Sequence, residues 1–405
     1  TDFVFDYMAP EMATFSISDD GNTLSMTLAA HRIWAGTDEA HSWDTAVFGS
    51  ASALPSNTMA IFDDSAANKD VRLAEDVSLV ALRFDHSQDY SVTAENGATI
   101  TASAGLTKLG NGALHIQADM TLGGDVSLKG GNVTFDGKTL VTGKTTQTTG
   151  TVIINGAGSQ FGNYAQEGGT LYINGSGTRL GTLATKWTTT HFCADEASAT
   201  GLSIQAGSTI NFLRPEGSES AHYTIHNDAG NAALSFDSWQ SSSGTRIHVA
   251  QGVRLEIDRI SSAWGWNSFN IDGDVVVHGD MHLSSGSINP FIGQGSLTTN
   301  RLTLTNTGTY VFDLPRVTVK EQLDVSWSGK GVLKSGVLTS EKKMTQSSSS
   351  FSVQGGILNL NGTSTFSGGT LELVSGKIDI QSGTTTISNT VNATGGELAV
   401  SGGTL

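Results

Sequence analysis

The sequence predicts an all-β protein, a right-handed parallel β-solenoid (β-helix) with an N-terminal β-rich cap or small β-sandwich. The first observation behind this is composition: 405 residues hold 49 glycines but 5 prolines, and only 15% are charged, against averages of roughly 7% Gly and roughly 25% charged. The glycine follows no G-X-Y period and no apolar heptads are present. A hydrophobic content of 37% is enough for a core, which excludes collagen, coiled coil and charged disorder. The second observation is an internal repeat, and the third is alternation with the period of a strand inside each repeat unit, with no convincing helical periodicity anywhere.

Residues 1–105 read as the β-cap or small β-sandwich. Phe15 and Ile17, a polar turn at Asp19-Asp20-Gly21-Asn22, then Leu24, Met26 and Leu28 are the signature of a hairpin. A cap is needed because an open coil presents unpaired strand edges and bare apolar side chains. Residues 106–184 read as the first solenoid coils, with Gly-initiated strands at Gly130, Gly150 and Gly168. Over 185–350 the period blurs, and longer loops are expected at Trp187 to Glu196 and at Ser347 to Ser350.

Residues 351–405 carry the clearest repeat. Gly356, Gly362, Gly369, Gly376, Gly383, Gly396 and Gly403 each open a short alternating strand, and taking three strands per coil brings Gly356 onto Gly376 and Gly396. A coil of about twenty residues with three strands describes a triangular solenoid. Glycine suits its corners because a sharp bend with φ > 0 meets no Cβ clash. Alternation then places Leu358, Leu360, Leu371, Leu373, Ile378, Ile380, Leu398 and Val400 inside, with Thr, Ser, Asn and Glu in water.

A net charge of −16 repels phosphate backbones and anionic membrane surfaces, so neither nucleic-acid binding nor membrane insertion is expected. The lone Cys193 excludes an intrachain disulfide and reads as a small buried hydrophobe. No cofactor and no metal site is expected: His278, Asp280 and His282 alternate along a strand, ~6.6 Å apart, too far to converge on one ion. His31, His41 and His86 read as surface residues. With no apolar run of about eighteen residues and no initiator Met, the chain reads as a mature fragment whose signal peptide has been removed.

An ordered set of short pieces runs from Ile33-Trp34-Ala35-Gly36 and Trp43-Asp44-Thr45-Ala46-Val47-Phe48-Gly49 through Ile61-Phe62-Asp63-Asp64-Ser65-Ala66 and Val71-Arg72-Leu73. It continues with Leu82-Arg83-Phe84-Asp85, Tyr90-Ser91-Val92 and the stretch from Leu106 to Leu114, and closes at Gly130 to Phe135. In this order they resemble the Gram-negative autotransporter passenger family with autotransporter-associated β-strand repeats. The resemblance covers about the first third of the chain, and the last fifty residues agree in style. It implies export, display at the extracellular or outer-membrane surface of a Gram-negative bacterium, and a β-helical passenger ahead of a translocator. No membrane barrel with aromatic girdles is present, and Leu405 ends inside a Gly-Gly-Thr-Leu unit, which reads as truncation of a longer chain. Such families host adhesins, scaffolds and hydrolases alike.

Two constellations could carry chemistry. Asp44-Thr45-Ala46 and Asp64-Ser65-Ala66 resemble the signature of aspartic peptidases, in which two carboxylates share a proton. Ala replaces the usual Gly in both, and twenty residues is too short a spacing for one lobe per aspartate. Asp44 and Asp64 are therefore expected to be turn caps, not a dyad. The second constellation spans Trp264 to His282. Phe269, Ile271, Val275, Val277, Met281 and Leu283 belong inside, which turns Asp272, Asp274, His278, Asp280 and His282 outward, with Trp264 and Trp266 beside them. Indoles next to polar groups suit a sugar, whose ring face stacks on Trp while its hydroxyls bond carboxylates. Asn270-Ile271-Asp272 and His278-Gly279 also resemble polygalacturonase-type hydrolases, but eight residues is the wrong separation for motifs that should lie on successive coils.

The function expected is that of an exported surface or secreted protein, a non-catalytic adhesin or scaffold. Its partner is a host or matrix glycoconjugate such as mucin, contacted through Trp264, Trp266, Asp272, Asp274 and His278, with self-association as a further option. The alternative is a secreted hydrolase of glycoproteins, aspartic-peptidase-like through Asp44 and Asp64 or a β-helical glycosidase through Asp272 and Asp274.

Overall fold

The computed structural model describes residues 13–17, 24–28, 30–36, 43, 58–205, 207–227, 234–237, 245–262, 267–284, 288–305 and 308–405. Among these residues every regular element is a strand, and apart from one hairpin the pairings are parallel. The protein is an all-β parallel solenoid. The chain divides into two compact units, Thr1–Leu180 and Gly181–Leu405.

In the first unit, Ala13–Ile17 and Leu24–Leu28 form the expected antiparallel hairpin, with Ala13 opposite Leu28 and Ile17 opposite Leu24. Parallel pairing begins ahead of residue 106: Ala30–Ile33 lies beside Thr58–Asp63, which lies beside Ala81–Asp85 and then Leu106–Leu109. Each strand meets its counterpart one coil later because three short strands and three corners make one turn. One interior column reads Phe62, Phe84, Lys108, Leu128, Gln147, Gln166. Phe62 and Phe84 stack with centroids 4.5 Å apart.

The polar members of that column are satisfied by corner backbone. Lys108 is fully buried, and its Nζ donates to Leu109 O at 2.5 Å and Gly110 O at 3.0 Å; burial pulls its ammonium down to about 8. Gln147 Nε2 donates to Gly150 O and Thr170 O, both at 3.1 Å, while its Oε1 accepts the Tyr164 hydroxyl at 2.9 Å. His86, expected at the surface, is buried instead. Its ring lies against Tyr90, 4.6 Å between centroids, and its Nδ1 meets Gln88 O at 2.5 Å.

Outside, aspartates at the corners tie each coil to the next. Asp76, Asp119 and Asp125 accept the backbone N–H groups of Thr99, Lys138 and Lys144 at 2.7–2.8 Å. These are donors that a corner would otherwise leave to water.

In the second unit an interior column reads Leu202, Leu234, Ile260, Met281, Leu302, Leu323, Met344. A second column holds Tyr223, Leu255, Val275, Leu297, Val317, Leu338, Leu358 and Ile378. The two places expected to be longer loops hold short corners around strands instead, at 186–188, 193–197 and 348–349. Thr189–Phe192 pairs with Thr209–Phe212, and Lys343–Ser347 and Ser350–Val353 flank a two-residue corner. Of the eight apolar residues expected inside near the C-terminus, six are buried. Leu398 and Val400 are 42% and 49% exposed, because among the described residues their strand, Glu397–Val400, is covered only on the side of Lys377–Ile380.

Candidate functional site

Of the glycan candidates of the sequence, Asp272, Asp274 and His278 lie at an outer face of the second unit built by Val253–Ile257, Asp274–Leu283, Ser296–Leu304 and Thr309–Ser326. Alternation sends Leu255, Val275, Leu297 and Val317 into the core. It stacks Arg254, Asp274, Ser296 and Arg316 in one outward row, one per coil. The corner ahead of this face is Asp272-Gly273. Gly273 is buried, and a Cβ there would collide with the Val253 and Ala250 carbonyls, so glycine lets successive coils close up. An open groove of about 360 Å³ runs along the corner, lined by Asp272, Asp274, Gln294, Ser296, Pro315 and Arg316.

Hydrogen bonds between coils set the carboxylates. Asp272 Oδ1 accepts the Gln294 N–H at 3.0 Å, and its Oδ2 lies 3.3 Å from His248 Nε2. Asp274 Oδ1 accepts the Ser296 hydroxyl at 2.6 Å. Asp272 is half-buried and Asp274 exposed. The groove offers acceptors (two carboxylates), a guanidinium donor, an amide and a hydroxyl, a set that matches the hydroxyls of a neutral sugar.

Farther along the same strand, His278 Nε2 lies 2.8 Å from Glu256 Oε2. Arg254 Nε holds the other oxygen at 2.7 Å, and His222 Nε2 approaches it at 3.4 Å. The hydrogen bond from Arg254 first, then that from His278, bring the Glu256 carboxyl down to about 2. Glu256 is therefore a fixed anion that clamps three coils. Asp280 and His282 face outward as expected. Among the described residues, no three His, Cys, Asp or Glu side chains gather in a way that could hold a metal ion.

The structure thus brings Asp272 and Asp274 into one groove and turns His278 toward Glu256 instead. Trp264, Trp266 and Asp44 lie outside the described residues. Asp64 accepts the Ser87 N–H at 2.9 and 3.0 Å and the Gln88 N–H at 3.3 Å. These bonds, that from the Ser87 backbone foremost, hold its carboxyl below the usual range. That is the geometry of a corner cap. Cys193 is half-buried, and burial pushes its thiol up, which makes it a poor nucleophile.

Sequence reasoning missed Gln294, Ser296 and Arg316. The signal for them was the coil length, since Ser296 follows Asp274 by 22 residues and pairs with Arg316 on the next coil. It also missed two exposed indoles, Trp187 and Trp327. A comparison with protein families, curated proteins and solved structures finds no match to this chain.

Proposed function

We propose that this chain is a non-catalytic, glycan-binding scaffold of the autotransporter-passenger type. It is displayed or secreted at the outer surface of a Gram-negative cell and binds glycans of host or matrix glycoproteins such as mucin. The observation that supports this most is the open groove at Asp272 and Asp274. Its polar side chains are fixed by bonds between coils, and its two carboxylates are held as hydrogen-bond acceptors at the groove. A rigid, repetitive face with preset acceptors loses little entropy when a flexible sugar settles on it.

The test incubates the protein with a mucin-type glycoprotein and assays retention and cleavage together. Retention without cleavage, weakened by Asp274→Ala at unchanged melting temperature, is the expected result. Cleavage abolished by Asp272→Asn or Asp274→Asn would instead make this a glycosidase, and absence of both retention and cleavage would end the glycan reading.

A further inference from the structure

An asparagine followed by glycine carries a reaction of its own, because the unhindered glycine amide can close onto the neighbouring carboxamide as a cyclic imide. The chain has five such pairs, at Asn96, Asn111, Asn155, Asn174 and Asn361, all at described corners. In three of them the glycine nitrogen is already committed. Gly112, Gly156 and Gly175 donate their N–H groups to His86 O, Phe135 O and Ile154 O of the coil before, over 2.9–3.1 Å. Asn155 and Asn174 also lock their carboxamides into an outer ladder, where Asn155 Nδ2 donates to Asp136 Oδ1 at 2.6 Å and Asn174 Nδ2 to Asn155 Oδ1 at 2.9 Å. At the fifth, Asn361 Oδ1 is buried, and Gly362 is pressed so close to the coil before that a Cβ would lie 1.9 Å from Lys342 O. None of these four can close the imide unless its coil first opens.

Asn96-Gly97 is built differently. Asn96 at φ 54 and Gly97 at φ 75 are the central residues of a tight turn that Ala98 N–H closes by donating to Glu95 O at 3.0 Å, the type I′ pattern. Both residues are exposed, and a Cβ on Gly97 would meet nothing within 4 Å. Among the described residues, neither the Asn96 carboxamide nor the Gly97 N–H has a hydrogen-bond partner. The coil is anchored on either side of the tip instead, by Glu95 N–H on Leu73 O at 2.7 Å and Thr99 N–H on Asp76 Oδ1 at 2.8 Å. The tip can therefore pivot while Tyr90–Ala94 and Thr99–Ala102 stay paired.

We propose that Asn96 is a site of spontaneous modification, the one asparagine-glycine corner that converts to aspartate and isoaspartate while the solenoid stays folded. The Gly97 backbone nitrogen bonds to Asn96 Cγ, and the carboxamide nitrogen leaves as ammonia with the proton that Gly97 gives up. Water then opens the imide at either carbonyl. One opening leaves aspartate, and the other leaves isoaspartate, whose backbone runs through Cβ and is one carbon longer. Nothing is oxidised or reduced, and water is the only co-reactant. Each event adds a carboxylate beside Glu95, and the longer backbone removes the spacing on which the Glu95–Ala98 bond depends. The inference is independent of the glycan reading.

The experiment holds the intact protein, folded or in urea, at mildly alkaline pH, digests it in acid to stop further imide formation, and follows each asparagine-glycine peptide by mass spectrometry. In the folded protein Asn96 should convert at least about 10-fold faster than Asn111, Asn155, Asn174 or Asn361. In urea the five rates should converge. Asn96→Gly keeps a residue at ease with positive φ, so it should melt no lower than the parent while the first acidic variant on ion exchange disappears. Any of the other four converting as fast as Asn96 in the folded protein overturns the proposal. So does an Asn96 that survives in the folded protein while the urea sample reacts, or an acidic variant that persists in Asn96→Gly.

Discussion

The ring of Trp187 occupies the space that a side chain on Gly207 would need, one coil on. Gly207 also sits at φ +74, so Gly207→Ala should cost about 1–2 kcal/mol for the left-handed backbone and about 1–3 kcal/mol for overpacking. A lower melting temperature together with easier acrylamide quenching of tryptophan fluorescence is expected. An unchanged melting point would contradict the contact.

Gln147 and Tyr164 form a buried pair whose value lies in its completeness. Gln147→Leu strands the Tyr164 hydroxyl, whose hydrogen bond Gln147 alone accepts, and should destabilise the first unit by about 1–3 kcal/mol. Adding Tyr164→Phe should recover part of that loss. Urea unfolding of the single and double variants measures the coupling, and strict additivity would argue against the bond at 2.9 Å.

Acid should loosen the second unit through Glu256. Its folded carboxyl is depressed from 4.5 to about 2, so its stabilising contribution is present above the unfolded value and is lost as pH falls from about 4.5 toward about 2. Glu256→Gln should flatten that part of the melting-temperature profile, and a profile identical to the parent's would show that the clamp carries no linkage.

Glycan charge should matter in one direction. With a net charge of −16, sulfated or sialylated mucin glycans should be retained less well than desialylated ones at low salt, and the gap should narrow as ionic strength rises toward the screening limit. Stronger retention of the sialylated form would point to Arg316 as a dominant contact.

The regular coils were legible because alternation and glycine agree there. Gly356, Gly369, Gly376, Gly383 and Gly396 all adopt positive φ, and Leu358, Leu360, Leu371 and Leu373 are buried as the pattern requires. The middle of the chain was harder for a physical reason. Thr309–Ser326 is one strand of 18 residues that pairs with Ile288–Ile292 and then with both halves of Ser296–Leu304. It turns its corners through register shifts at Leu314-Pro315 and Lys320-Glu321 instead of at glycine, so no repeat marks them. Asp272 and Asp274 could be placed outward from parity alone, whereas Ser296 and Arg316 come from later coils whose register the blurred period hides. His86 was misplaced because a single polar residue in a corner does not reveal that Tyr90 and Gln88 close over it. Trp187 and Trp327 carry no sequence signal of exposure, since their positive φ is a property of the backbone.

The sealed amine of Lys108 makes the first unit self-reporting. Its ammonium has no route to water while Leu106–Leu109 stays paired on both sides, whereas the amines of Lys129 and Lys138 are exposed. A water-borne acylating reagent under native conditions therefore marks Lys129 and Lys138 at once and Lys108 only when that coil parts from its neighbours. The lag between them clocks the breathing of a single turn inside an intact stack.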